Sequence, residues 1–109
     1  MADAQSLFDE LVDEYAGRPG VTYGRMMSSN GLRVHGKIFA MLNHGALVVK
    51  VPSDRITALL AQDGIAPFEP RPGRRMREWA VIPVPAAPED VQWPAITAEA
   101  FDYVSSLAS

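Results

Sequence analysis

His35 and His44 are the only histidines in this 109-residue chain, and each precedes a glycine. An imidazole can ligate a metal or act as a general base. Neither histidine, however, has a second ligand at the helical spacing of an H-E-x-x-H pair, and without Cys no thiolate can complete a tetrahedral zinc set. Ser28 and Ser29 with His35 supply the residue types of a nucleophile and its base, but no G-x-S-x-G elbow presents them. Gly17, Gly20, Gly24, Gly31 and Gly36 do not form a phosphate loop, because no GxxxxGK[ST] run exists and their spacing does not open a helix after a strand. The sequence therefore predicts no catalytic residue, no metal and no cofactor.

The remaining chemistry is cationic. Arg71, Arg74, Arg75 and Arg77 crowd a Pro/Gly stretch that leads into Trp79. Guanidinium groups can bracket phosphates while an indole offers a stacking face, so these five residues form the candidate contact for a nucleic acid or a protein partner. Charge is segregated around them. Residues 1–20 hold Asp3, Asp9, Glu10, Asp13 and Glu14 against Arg18, and residues 79–109 hold Glu89, Asp90, Glu99 and Asp102 with no Lys or Arg. The middle carries nine bases against Asp54, Asp63, Glu69 and Glu78. The simplest expectation is that acidic end helices pair with this basic middle. The net charge of -3 argues against a dedicated nucleic-acid binder.

These residues need a scaffold, and composition bounds it. A chain this long, 48% hydrophobic and 21% charged, is expected to form one domain around one core over residues 1–109. No apolar run approaches the roughly 20 residues of a membrane span, and the first ten residues are acidic, so the expectation is neither anchorage nor export. Lack of Cys suits a cytoplasmic location.

Leu7, Phe8, Leu11, Val12 and Tyr15 recur at helical spacing, predicting a helix over about Ser6–Ala16 with Ser6 as its cap and Gly17 and Pro19 as stops. Val21–Met27 reads as a strand, Asn30-Gly31 as a tight hairpin turn, and Leu32–Val34 as the returning strand. His35-Gly36 is a second turn, followed by strands Lys37–Leu42 and Ala46–Val51 around Asn43-His44-Gly45. Ser53 and Asp54 can cap a helix over about Asp54–Gln62 that buries Ile56, Leu59 and Leu60 before Gly64. Pro67, Pro70 and Pro72 predict an exposed connection, because proline cannot donate to a central ladder. Arg75–Ile82 alternates with mixed polarity on both faces, as an edge or partly exposed strand would. Pro83, Pro85 and Pro88 keep the next stretch extended. Thr97 is the expected cap of a last helix burying Phe101, Val104 and Leu107, with Ile96 and Phe101 as a hydrophobic staple. The sum is an α+β fold, an antiparallel sheet of four to five strands with N-terminal, middle and C-terminal helices packed on it.

Gly31-Leu32, Gly36-Lys37-Ile38-Phe39-Ala40 and Leu47-Val48-Val49-Lys50-Val51, continued by Gly64, Pro67-Phe68, Met76, Trp79 and Pro83, resemble the motif series of TfoX amino-terminal domains. The resemblance covers about Ser6–Leu107. Trp93-Pro94 and Ala100–Leu107 are also similar to YjbR/MmcQ-like proteins of the same architecture. Met26-Met27 stands where the family has phenylalanine-glycine, and no counterpart of the carboxy-terminal helical domain of full-length TfoX regulators is present. The resemblance implies a compact α+β domain, often of unknown function, with regulatory or nucleic-acid association among relatives and no catalytic residue carried over.

The expected function is thus a non-enzymatic regulatory or protein-interaction module. Its homodimer would form through an edge strand or an aromatic patch around Trp79, Trp93 and Tyr103. Nucleic-acid binding through the central arginines is the alternative, and a small-molecule pocket between helix and sheet the third.

Overall fold

A computed structural model describes residues 3–26, 29–43, 45–62, 64–71, 74–84 and 92–107, and of residues 25, 26, 29, 30, 69–71 and 74–77 it describes the main chain only. Met27, Ser28, His44, Asp63, Pro72, Gly73, Pro85, Pro88, Glu89 and Asp90, singled out in the sequence, lie outside the described residues. The order is α1 (Ala4–Tyr15), β1 (Val21–Met26), β2 (Ser29–Val34), β3 (Lys37–Asn43), β4 (Ala46–Lys50), α2 (Ser53–Leu60), β5 (Ala66–Arg71), β6 (Arg74–Ile82) and α3 (Trp93–Leu107). The strands form one antiparallel sheet in the order β1-β2-β3-β4-β6-β5. The α+β class is as expected, with six strands where four to five were predicted.

The additional strand is β5, in the segment expected to be an exposed connection. Proline is excluded from central ladders but tolerated on an edge, where a missing N–H faces solvent, and β5 with Pro67 and Pro70 occupies that edge. Of the two expectations for β6 the edge position fails, since it lies between β4 and β5, while partial exposure holds, with Glu78, Trp79 and Val81 half-buried.

The first hairpin also departs from expectation. Asn30 and Gly31 lie inside β2, opposite Arg25 and Gly24, and the connection falls three residues earlier. This register sets Val21 against Val34 and Tyr23 against Leu32, placing all four on the face where Leu32 and Val34 join the core. Burial of a strand face outweighs local turn preference. At the next turn the expectation holds: His35 (φ 52°) and Gly36 (φ 82°) both take positive φ, the requirement of a tight two-residue hairpin loop. His35 donates its N–H to the Gly20 carbonyl at 2.9 Å, and its ring lies against Gly20 so closely that a Cβ there would sit 2.6 Å from an imidazole carbon.

The helix ends are shifted too. Asp3, not Ser6, caps α1, its carboxylate accepting the Ser6 N–H at 2.8 Å. α2 begins after Pro52 without a side-chain cap, Asp54 lying in its first turn. α3 begins at Trp93 with Pro94 in its first turn, where a missing N–H costs nothing. Ile96 and Thr97 are therefore buried helix residues and not a staple and cap. The buried stripe is Trp93, Ile96, Thr97, Ala100 and Val104, while Leu107 is exposed. The Thr97 hydroxyl is buried with no hydrogen-bond partner among the described residues.

All three helices contribute to one core on one side of the sheet. α3 lies over β2, β3 and β4, α1 packs on α3, β3 and β4, and α2 covers β6 and β5. Leu32 faces Ala40 but Arg33 faces Ile38, so Phe39 is the extra residue of a β-bulge. Both Phe39 and Ala40 are fully buried in that core. Phe39 meets Tyr15 and Phe101 at ring separations of 5.5 and 5.3 Å, and the Arg18 guanidinium caps the cluster 4.2 Å from the Tyr15 ring.

Candidate interaction surface

Strand alternation sends Leu47, Val49 and Val51 into the helix-covered core and leaves Val48 and Lys50 for the opposite face. The register extends that second face across the sheet: Met41 lies opposite Val48, Val48 opposite Val81, and Val81 opposite Ala66. No described helix packs there. A sheet face without a helix ordinarily carries polar side chains. Here its central row is apolar, with Lys50 and Asn43 beside it, and Val48 is only 1% exposed.

Phe68 and Trp79 wall this surface. Both are half-buried, with ring centroids 6.3 Å apart and planes tilted by 53°. Lys50, paired with Trp79 across β4 and β6, sets its ammonium 5.9 Å from the indole. Between Phe68 and the row of Val48 and Val81 lies a groove of about 360 Å³, edged by Asn43, Ala46, Ala66 and Pro67. β5 is irregular beside it: its register with β6 shifts between Pro67 and Phe68 and again before Arg71, as expected where a strand bends.

The predicted contact residues map onto the same hairpin. Arg71 and Arg74 pair across its mouth, Arg75 and Arg77 follow along β6, and Trp79 completes the strand segment. The side chains of the four arginines lie outside the described residues. The aromatic patch expected around Trp79, Trp93 and Tyr103 does not form. Trp93, the first residue of α3, is buried and donates its indole N–H to the Pro83 carbonyl at 3.2 Å. Tyr103 stands on the helix side, donating its hydroxyl to Glu78, and only Trp79 is on the bare face. Phe68, Met41, Val48 and Val81 were missed as site residues. For Met41 and Val48 the signal is the unbroken apolar character of Ile38–Leu42 and Ala46–Val49, which marks strands apolar on both faces.

The electrostatics of the helix side are those of fastening. Arg55 of α2 holds Glu99 of α3 through two contacts of 2.6 and 3.1 Å, one instance of the expected pairing between basic middle and acidic end. The Glu99 carboxylate keeps the guanidinium protonated more firmly still. Glu78 raises the Tyr103 hydroxyl above its ordinary value of 10.0 by accepting its hydrogen bond, with burial adding to the effect. Burial raises Tyr15, and the Ser6 N–H lowers Asp3. A second cavity, about 470 Å³, opens between α1 and the start of α3, with Leu7, Leu11 and Trp93 on its apolar side and Glu10 and Glu14 at its rim.

Among the described residues no group of three or more His, Asp or Glu side chains is placed to hold a metal, and no helix is long and apolar enough to cross a membrane. His35 is an exposed turn residue. The surface is suited to binding an apolar or aromatic segment beside the Lys50 ammonium. No protein-family model matches the sequence, and no curated protein or solved structure matches it either.

Proposed function

We propose that this chain is a domain of the TfoX amino-terminal kind that acts in the cytoplasm as a non-enzymatic regulatory module. In this reading it recognises a protein partner through the bare face of its sheet and itself forms a homodimer. The observation that carries the reading is the apolar row Met41, Val48 and Val81 walled by half-exposed Phe68 and Trp79. Aromatic side chains around an apolar depression are the usual anchors of protein interfaces. The experiment is capture of partners from nuclease-treated lysate with the native chain and with Phe68→Glu. A protein retained by the first and lost by the second supports the reading. Equal retention by a folded Phe68→Glu chain overturns it, as does retention of nothing.

A second reading is favoured by one specific arrangement, the Lys50 ammonium beside the Trp79 ring on the hairpin that carries Arg71, Arg74, Arg75 and Arg77. Bases can stack on such an indole while the cations follow phosphates. If about four phosphates are neutralised, log K falls against log salt with a slope of about -3.6. Arg74→Ala with Arg75→Ala should flatten that slope, and a lack of binding at low salt ends this reading. A small-molecule ligand held between helix and sheet is the third reading.

A further inference from the structure

The sheet has two edges, and they are built differently. β5 carries Pro67 and Pro70, neither of which has an N–H to offer a neighbouring strand. β1 contains no proline, and its six residues pair with β2 in an unbroken ladder without a bulge. Its Thr22, Tyr23 and Gly24 are exposed, Tyr23 at 44%. One edge is blunted and the other is open.

The open edge has a readable pattern. The His35 N–H donates to the Gly20 carbonyl, and antiparallel pairing alternates from there. Main-chain groups of Thr22 and Gly24 therefore turn toward β2, while those of Val21, Tyr23 and Arg25 turn away from it. The Val21 N–H is already used, donating to the Arg18 carbonyl at 3.1 Å. What remains outward is the N–H and C=O of Tyr23 and of Arg25, and the C=O of Val21.

We infer that a second copy of this chain pairs antiparallel with β1, about a two-fold axis at Tyr23, joining two six-stranded sheets into one. The outward groups match themselves under that operation. The two Tyr23 residues exchange N–H to C=O bonds, and each Arg25 N–H meets the Val21 carbonyl of the other copy, the one outward group of Val21 that is open. Tyr23 lies opposite Leu32 and its ring packs 6.3 Å from Phe8, so the two exposed tyrosines meet beside α1 and cover each other. In this register Arg25 falls opposite Val21 and not opposite its own copy. A two-fold axis makes the contact self-complementary and closed, consistent with a dimer and not a fibre. Since β5 resists pairing, growth stops there.

The inference supplies the surface for the homodimer in the function proposed above, and it is separate from the bare face, so each can fail alone. Sedimentation analysis of the native chain should give twice the 11.9 kDa chain mass. Tyr23→Glu sets like charges across the axis, and Tyr23→Pro removes an outward N–H while leaving the β2 ladder its bonds. Both should sediment as monomers with unchanged far-ultraviolet dichroism. Phe68→Glu, on the bare face, should remain dimeric. A native monomer at about 1 mM chain, where a contact with Kd near 0.1 mM would be mostly formed, overturns the inference. A folded Tyr23→Glu chain that stays dimeric overturns it equally.

Discussion

Val48 and Val49 are consecutive in β4, carry the same side chain and are 1% and 0% exposed, yet their surroundings are opposite. Val49 points into the core beneath the helices, beside Ala40 and Ala80 in the neighbouring strands. Val48 points to the bare face and lines an open groove with Phe68 and Val81. Equal burial therefore arises from two constructions, a closed core made by three helices and a shallow one made by bent strands and two aromatic rings. A closed core keeps any void it is given, whereas a groove can relax or admit water.

That difference should be largest in paired truncations. Val49→Ala loses two methyl groups and leaves a void the helices cannot fill, a cost of about 2.5 kcal/mol. Val48→Ala loses the same groups beside a groove already open to solvent and should cost about 1 kcal/mol. Urea denaturation of both variants measures the gap. Equal costs would mean that the bare face is packed as tightly as the covered one, and the groove would then lose its standing as a docking surface.

How much of this was legible in the sequence differs between the faces in the same way. The covered face follows from helical spacing, since Leu7, Phe8, Leu11 and Tyr15 are all core residues. The antiparallel meander was read from its turn dipeptides, correctly at His35-Gly36 and wrongly at Asn30-Gly31. A turn dipeptide states only that a local conformation is affordable, while register is decided by which side chains are buried together. β5 was hidden because proline argues against a strand until its edge position is known, and edge position is a property of the whole sheet. The groove was hidden for the same reason, since Phe68 becomes a neighbour of Trp79 only after β5 is placed. The arginines were legible as a cluster, and the structure brings their main chain into one hairpin without bearing on what they bind.

β6 connects the two faces, because Glu78 points to the helices and Trp79 to the bare face, beside the groove wall Phe68. Tyr103 of α3 donates its hydroxyl to the Glu78 carboxylate, and this raises the hydroxyl above the 10.0 of an unfolded chain. The sign of the linkage follows. Folding holds the proton on Tyr103, so the stability this contact contributes is full below pH 10.0 and is lost as pH rises through the raised folded value. Tyr103→Phe should cost about 0.5 kcal/mol at neutral pH, the smallest of these effects since the group is only half-buried. It should also remove part of the alkaline decline in stability, leaving the part due to Tyr15, which burial raises in the same direction. The chain has two indole N–H groups, and in Tyr103→Phe the resonance of Trp79 should shift while that of Trp93, bonded to Pro83, stays in place. Movement of Trp79 alone would show that α3 sets the shape of the groove through β6. An unmoved Trp79 resonance, with the alkaline decline still reduced, would show that the two faces of the strand are mechanically independent.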